Sequence, residues 1–542
     1  VSAQNFTRNI IPMKGLYTSA VSDALTPEYT PWCQNVRFRF GNVQRAPGRS
    51  LVMQTLPRDI MDFAVITSSV GVKNVLAVTA NTLNDLTLHK YDEPTFQFLT
   101  TPISVGATAP SSWNIRPAWT QGEEHLFVCR ASKVTAISPA GVVQVLPSPK
   151  GCFLEYFNNR IMLMRLIDDP GEGSAASRIQ WSTRGDYQVW DALGWIDLYD
   201  GSVEPITGGK ILNDRLAVYR KNSITDLVAT GDDTNPFLPQ KRVNGIGCAF
   251  PWTLASAGQF HIFVSNDFNV YMWDGSGLNP IGTPIHAYIR QLIDVDKDLP
   301  DTVDWKCTPF ATMFMGFKEY HLAIPQKNGD VIVLIYDYLR DSWTRDLIPN
   351  LTALYEWQQK LSTNSSRVFD VLAYPEIFPT LLAGRKRDFF IIDERIVGDY
   401  LQAGSIGGME MFFDSPDMYY SKEAVANATL ERIVVSQAHP TFLTEVPYLV
   451  EVSVDRGKTF VAGKPVSPSY ARKGFEFVDF NITSNVRRYR FRYPVSSTAG
   501  RPSWRAYTDL FVPSGEFFPT EGEIDAPYGI WDQTYWDLCL WG

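Results

Sequence analysis

Carboxylates placed side by side are the first residues in this chain that could do chemistry. Asp168 and Asp169 form one pair and Asp232 and Asp233 another, each in a loop rich in Gly, Pro or Asn. Two acids flanking a glycosidic bond would perform general acid–base hydrolysis, and such pairs are equally at home as solvated loop charges. Sequence alone leaves both readings open. Asp294, Asp296 and Asp298 have the spacing that opens a calcium loop, but Leu299 stands where the loop needs glycine and Trp305 where it needs a bidentate glutamate. The six histidines are far apart, with no HExxH and no GxSxG, so neither a zinc hydrolase nor a serine hydrolase is signalled. Gly457-Lys458-Thr459 resembles the end of a phosphate-binding loop, but Val452 stands where its first glycine belongs. The six cysteines have no CxxC spacing and are expected to be reduced, mostly buried thiols. No catalytic residue, cofactor site or metal site is expected, and the chain is not expected to be an enzyme.

The sharpest local match is Ser453, Asp455, Gly457, Thr459 and Phe460, which fits the Asp-box pattern S-x-D-x-G-x-T-W/F. It resembles the turn repeated in sialidases and related propellers. Its Ser and Asp side chains can satisfy backbone donors in a hairpin, its Gly permits positive φ, and its aromatic packs beneath. This is a fold device. One box stands here, downstream of the propeller-like region, where a sialidase would carry several within its blades. Basic residues cluster at Lys241 and Arg242, at 385–387, and at Arg487, Arg488, Arg490 and Arg492. Alternation puts Arg488, Arg490 and Arg492 on one face of a strand. That face is either solvated or in contact with an acidic subunit surface.

The elements that must position these residues are β-strands. In 542 residues, 45% are hydrophobic, 20% charged and 13% aromatic, with 37 Gly and 35 Pro, a balance for short strands and tight turns around sizeable cores. The length fits about two to four domains. The net charge of −9 offers no general attraction to a phosphate backbone. Residues 1–11 lack a secretory signal, and no apolar run approaches the roughly 18 residues of a spanning helix, so a soluble protein without a membrane segment is expected.

Residues 1–55 read as an extended N-terminal arm, interrupted by Pro12, Pro27, Pro31 and Pro47 and with one strand near 35–40. From 56 to 395 a phrase recurs at roughly 40 residues: an alternating run, a Gly/Asn/Asp turn, a second run, often a Trp close. An all-β fold with a β-propeller of six or seven irregular blades follows, a pair of β-sandwiches being the alternative. Expected strand pairs include 116–129 with 134–146, 153–166 (with a first turn at Asn158 and Asn159) leading to 179–190 (with a second turn at Arg184, Gly185 and Asp186), 197–206 with 212–228, 259–264 with 269–273, and 321–325 with 331–338. The last unit, 354–361 with 369–374 and 389–393, is the least regular. A Gly-rich break at 396–419 marks a boundary, and 396–520 reads as an antiparallel β-sandwich-like domain. The tail 521–542 carries Trp531, Trp536 and Trp541, aromatics that should dock on protein.

The opening phrases Gly15-Leu16-Tyr17, Ser22-Asp23-Ala24-Leu25-Thr26-Pro27, Cys33-Gln34-Asn35-Val36-Arg37-Phe38-Arg39 and Arg45-Ala46-Pro47-Gly48 resemble the start of tail nozzle or hub proteins of short-tailed bacteriophages, the tail tubular protein B class. Ile179-Gln180-Trp181-Ser182, the stretch 216–224 and Tyr271-Met272-Trp273-Asp274-Gly275 match in style, as does the aromatic tail. The resemblance implies a structural virion protein of the phage tail, assembled in the bacterial host cytoplasm. It would form a homo-oligomeric ring, a hexamer, completing the DNA ejection channel below portal and adaptor and anchoring tail fibres or spikes. Genomic DNA would pass transiently without specific binding. The loops at 165–178 and 229–242 are candidate lumen or interface loops, with ordinary propeller insertions as the alternative; Arg488, Arg490, Arg492 and the three tail tryptophans are candidate subunit contacts. The alternative function is a virion-borne glycan-binding or sialidase-like propeller; the catalytic form requires acids and arginines clustered in a central pocket, and the binding form exposed aromatics around a shallow one.

Overall fold

The computed structural model describes residues 5–10, 13–39, 42–68, 73–80, 85–92, 97–99, 101–108, 114–167, 175–198, 204–293, 305–359, 378–393, 399–402, 405–407, 410–419, 428–437, 448–465, 475–493 and 503–513. Asp168, Asp169, Asp294, Asp296, Asp298 and the whole of 521–542, with Trp531, Trp536 and Trp541, lie outside them.

Tight turns set the local structure. Asn158 and Asn159 both take positive φ (50° and 56°), the conformation a two-residue hairpin loop demands, and Gly151–Phe157 returns directly as Arg160–Leu166. Asn213 (φ 56°) does the same between Ile206–Leu212 and Arg215–Arg220, so Asp197 ends the preceding sheet and does not open this one. Repeated, such turns give seven successive antiparallel sheets among the described residues, at 60–108, 118–145, 151–197, 206–244, 255–280, 310–349 and 351–393.

The sheets close on themselves. The opening strand of each lies beside that of the next, Ile60–Thr67, Ala118–Gly122, Gly151–Phe157, Ile206–Leu212, Ala255–Ser256, Phe310–Phe314 and Leu351–Gln359, and the last lies beside the first. One hydrophobic core fills each gap. Met61 and Leu126 share the first, Phe127 and Leu154 the second, Phe153 and Leu216 the third, and Tyr219 and Phe263 the fourth. Ile262 and Leu322 share the fifth, Val333 and Leu381 the sixth, and Phe63 and Phe389 the seventh. Because a sheet inside the ring buries both faces, Arg160–Leu166 has no exposed position. This closed circle of antiparallel sheets is a β-propeller.

The N-terminal arm does more than extend. Gly48–Thr55, expected in the arm, is the fourth strand of the seventh sheet, antiparallel to Asp388–Asp393. The strand missing from the sequence reading of that sheet is Phe378–Arg385. Gly15–Leu16 pairs in parallel with Tyr29–Thr30 and meets the outer strand of the sixth sheet at Trp343.

Downstream, two further sheets are built jointly from both ends of the chain. One runs Phe475–Ser484, Ala428–Gln437, Ser503–Pro513, Asn42–Arg45, Val36–Arg39, with Asn5–Ile10 also on Ser503–Pro513. The other runs Cys33–Gln34, Met411–Asp414, Val486–Tyr493, Leu449–Ser453, Val461–Ala462. Val36, Phe38 and Val43 from the arm share one core with Ile433, Val450, Tyr489 and Phe491 and with the fifth and sixth sheets. No helix among the described residues is long and apolar enough to cross a membrane.

Candidate functional site

The strand Val36–Arg39 alternates in a β-period, so Arg37 and Arg39 point the same way, into the sixth sheet. Arg37 donates from Nη1 and Nη2 to the two carboxylate oxygens of Asp346 (2.9 and 2.8 Å) and from Nε to Glu319 Oε1 (3.2 Å). Arg39 Nη2 donates to the same Oε1 (2.5 Å) and its guanidinium lies 4.8 Å from the Phe317 ring centre. His321 Nε2 stands 2.9 Å from Glu319 Oε2. All five charged or titratable side chains are buried. Burial alone would push Glu319 up, but Arg37, His321 and Arg39 together hold it far below the ordinary carboxylate range. The arm is thereby clamped to the propeller.

A second row of pairs fixes Val486–Tyr493. Arg488 Nε donates to Asp417 Oδ1 (2.7 Å), Arg490 donates to both oxygens of Asp414 (2.7 and 2.9 Å), and Arg492 reaches Glu410 (2.8 Å) and Glu451 (3.3 Å). The three arginines do share one face, as their spacing requires, and their partners are carboxylates of the same chain. Burial raises the Asp414 carboxyl, with Arg490 opposing.

The Asp-box residues form the hairpin beside this row. Ser453 Oγ donates to Asp455 Oδ1 (2.7 Å) and accepts from the Gly457 N–H (2.8 Å). Thr459 donates to Asp455 from its N–H (2.8 Å) and its hydroxyl (2.6 Å), and these bonds hold Asp455 well below the usual carboxylate range. Phe460 packs on the Arg490 guanidinium at 3.9 Å, so box and ladder are one unit.

Of the predicted loop acids, Asp232 Oδ1 accepts the Thr234 N–H (2.9 Å). Asp233 accepts from Arg160 Nη2 (3.2 Å) and lies 3.9 Å from Arg184, tying the fourth sheet's outer loop to the third sheet.

Sequence reasoning missed the groups gathered near the propeller axis, where the opening strands converge. Asp62 accepts from the Phe63 N–H (2.8 Å) and from Trp119 Nε1 of the next sheet (3.2 Å). Trp119 in turn stands 5.9 Å, centre to centre, from Tyr355 of the seventh sheet. Glu155 accepts from Thr120 (3.0 Å) and Lys210 Nζ (3.0 Å). Asp62 is partly open to solvent yet enclosed on its flanks; desolvation pushes its carboxyl up to about 6 against the pull of Arg116 and its hydrogen bonds. Asp62 is thus suited to hold a proton near neutrality, while Glu155 is paired with a lysine. No spacing in the chain reveals this set, since five separate sheets supply Asp62, Trp119, Glu155, Lys210 and Tyr355.

Cys33, Cys129, Cys152 and Cys248 are buried thiols and Cys307 is exposed. Burial raises the first four wherever a shift is resolved, as at Cys33 and Cys248, both pushed up to about 12. Among the described residues no group of three or more His, Cys, Asp or Glu is arranged to hold a metal ion.

No family model matches the chain, and no curated protein matches it. Solved structures do. PorZ, a bacterial surface component of the type-IX secretion system of Porphyromonas gingivalis, matches over 68% of this chain and 42% of its own, at 12% identity and TM-score 0.33. The Neurospora crassa Pan2 WD40 domain matches over 64% and 94%, at 8% and 0.35. The β-propeller domain of the Trilobed protease from Pyrococcus furiosus matches over 61% and 97%, at 11% and 0.32. These are likenesses of fold.

Proposed function

We propose that the chain is a structural subunit of the tail of a short-tailed bacteriophage, of the nozzle or hub class, working as a ring. In that ring the propeller with its seven blades and the β-sandwich made by the two downstream sheets form one stiff wedge. The channel for DNA is the hole of the subunit ring, below portal and adaptor, and fibres or spikes attach outside. The net charge of −9 suits a wall that releases passing phosphate, because every retained phosphate contact adds affinity.

One observation carries the proposal. The phrase Cys33-Gln34-Asn35-Val36-Arg37-Phe38-Arg39, one of those that carry the resemblance to this class, is the segment clamped by Glu319 and Asp346 and shared between both downstream sheets. A segment spent on locking domains together suits a load-bearing conduit. The test is light-scattering mass with negative-stain imaging of the purified chain, alone and mixed with adaptor rings. A six-fold ring with an axial hole is expected; a single chain that ignores the adaptor overturns the proposal.

A second reading is favoured by the axial set: a glycan-directed propeller in which Asp62 serves as the acid and Glu155 as the base, with Trp119 and Tyr355 as sugar platforms. Hydrolysis or binding of oligosaccharides that Asp62→Asn and Trp119→Ala abolish would move the assignment to this reading.

A further inference from the structure

The outermost strand of the third sheet, Asp186–Asp197, is the longest in the propeller, and its outer edge carries no strand among the described residues. Its register with Arg178–Thr183 jumps from Ser182↔Trp190 to Gln180↔Trp195, so four residues bulge outward against Trp181 alone. The bulge is held in shape. Asp191 Oδ1 accepts the Leu193 N–H (2.9 Å), Gln180 Nε2 donates to the Asp191 carbonyl (3.0 Å), and the Trp195 ring lies under Arg178 at 3.9 Å, itself doubly bonded to Asp197. What this edge presents is apolar and acidic: Leu193 at 82% exposure, Val189 at 49% and Trp195 at 39%, with Asp186 and Asp191 exposed among them.

A second edge has the opposite charge. Val461–Ala462 is the outermost strand of its sheet, reached through the Asp-box hairpin. Around it Val461 (56%) and Val454 (39%) are exposed beside Arg456, Lys458 and Lys464. This hairpin too is rigid, by the four bonds of Ser453 and Asp455 described above. In one chain, then, two pre-formed sheet edges each combine exposed aliphatic side chains with charge, negative on one and positive on the other, and among the described residues no strand pairs with either outer edge.

We propose that these edges meet between copies: the 454–464 hairpin of one chain docks on the Asp186–Asp197 edge of the next. The inference rests on the ring reading and names its interface. Two different, mutually complementary patches on one chain make a head-to-tail contact, which generates a ring when the rotation closes and a filament when it does not. Open strand edges provide backbone pairing, the aliphatic residues provide burial, and the charges select the partner.

Charge reversal tests the pairing. Asp186→Lys/Asp191→Lys makes both edges basic, and Lys458→Glu/Lys464→Glu makes both acidic; unchanged melting temperatures show that each variant folds. The wild type is expected to assemble, each variant alone to lose assembly, and an equimolar mixture to regain it as an alternating ring, since each wrong edge then meets its complement. Variants that assemble alone like the wild type, or a mixture that stays as single chains, overturn the interface and leave the ring standing. Wild type that stays a single chain at every concentration, with adaptor present, overturns ring and interface together. Filaments in place of rings, abolished singly and restored by mixing, support the interface and overturn the ring.

Discussion

Arg37 and Asp346 lie 309 positions apart and meet as a two-pronged pair, Nη1 and Nη2 of the guanidinium each donating to a separate carboxylate oxygen at 2.9 and 2.8 Å with both side chains buried. Both prongs depend on the planar fork that only arginine has. Removing it by Arg37→Ala strands Asp346 and part of Glu319 in the interior, and a loss of about 3–5 kcal/mol in unfolding free energy is expected. Arg37→Lys keeps the charge without the fork and is expected to fall between. Urea unfolding of the three proteins measures both.

The same cluster sets an acid limit. Glu319 is held below its unfolded value of 4.5, so its contribution is fully present above about pH 4.5 and is lost as pH falls toward the lower folded value. The wild type should weaken steeply below pH 4.5. Glu319→Gln should be less stable at neutrality and lack that part of the slope, so the two curves converge on acidification, which unfolding free energies from pH 7 to 2 would show.

Asp62 has the opposite sign. Its folded value of about 6 lies above the unfolded 3.8, so the favourable protonated state is fully present below 3.8 and is lost as pH rises through 6. Asp62→Asn keeps a neutral side chain at every pH. Its melting temperature should gain on the wild type between pH 4 and 7, and carboxyl ¹³C NMR should find the Asp62 midpoint near 6.

Gly457 (φ 84°) tests whether the Asp box and the arginine ladder are one unit. A methyl group there meets the Arg488 guanidinium as well as straining the backbone. Gly185 (φ 71°) in the third sheet has nothing within 4 Å, so Gly185→Ala costs the strain alone. Gly457→Ala should destabilise by more than about 1 kcal/mol, the strain-only level, and by more than Gly185→Ala. Thermal melts of both variants decide it.

Where strands alternate between Asn, Asp or Gly turns, they were legible: Asn158 with Asn159 and 327–330 mark hairpins that the chain makes. Pro379 and Gly384 hid Phe378–Arg385, because neither is a strand former and the pairing that holds them comes from neighbours on both sides. Pro47 made the next residues read as leader, and nothing local says that Gly48–Thr55 has its partner at 388–393. The one-face spacing of Arg488, Arg490 and Arg492 was readable; their carboxylate partners were not, since Asp414 is brought there by the strand Met411–Asp414 and Asp417 by the irregular stretch that follows it. The axial set has no sequence signature at all, because convergence at the ring centre is a property of closure.

That closure has a consequence for how the molecule is made. Ribosomes deliver Gly48–Thr55 early and its pairing strand only after some 330 more residues, which at about 5–20 residues per second is a wait of roughly 20–70 s. Through that interval the first strand of the circle is out and its last neighbour does not exist. The propeller therefore cannot lock as it emerges, and its final hydrogen-bond ladder forms in a single late event that joins the start of the ring to its end.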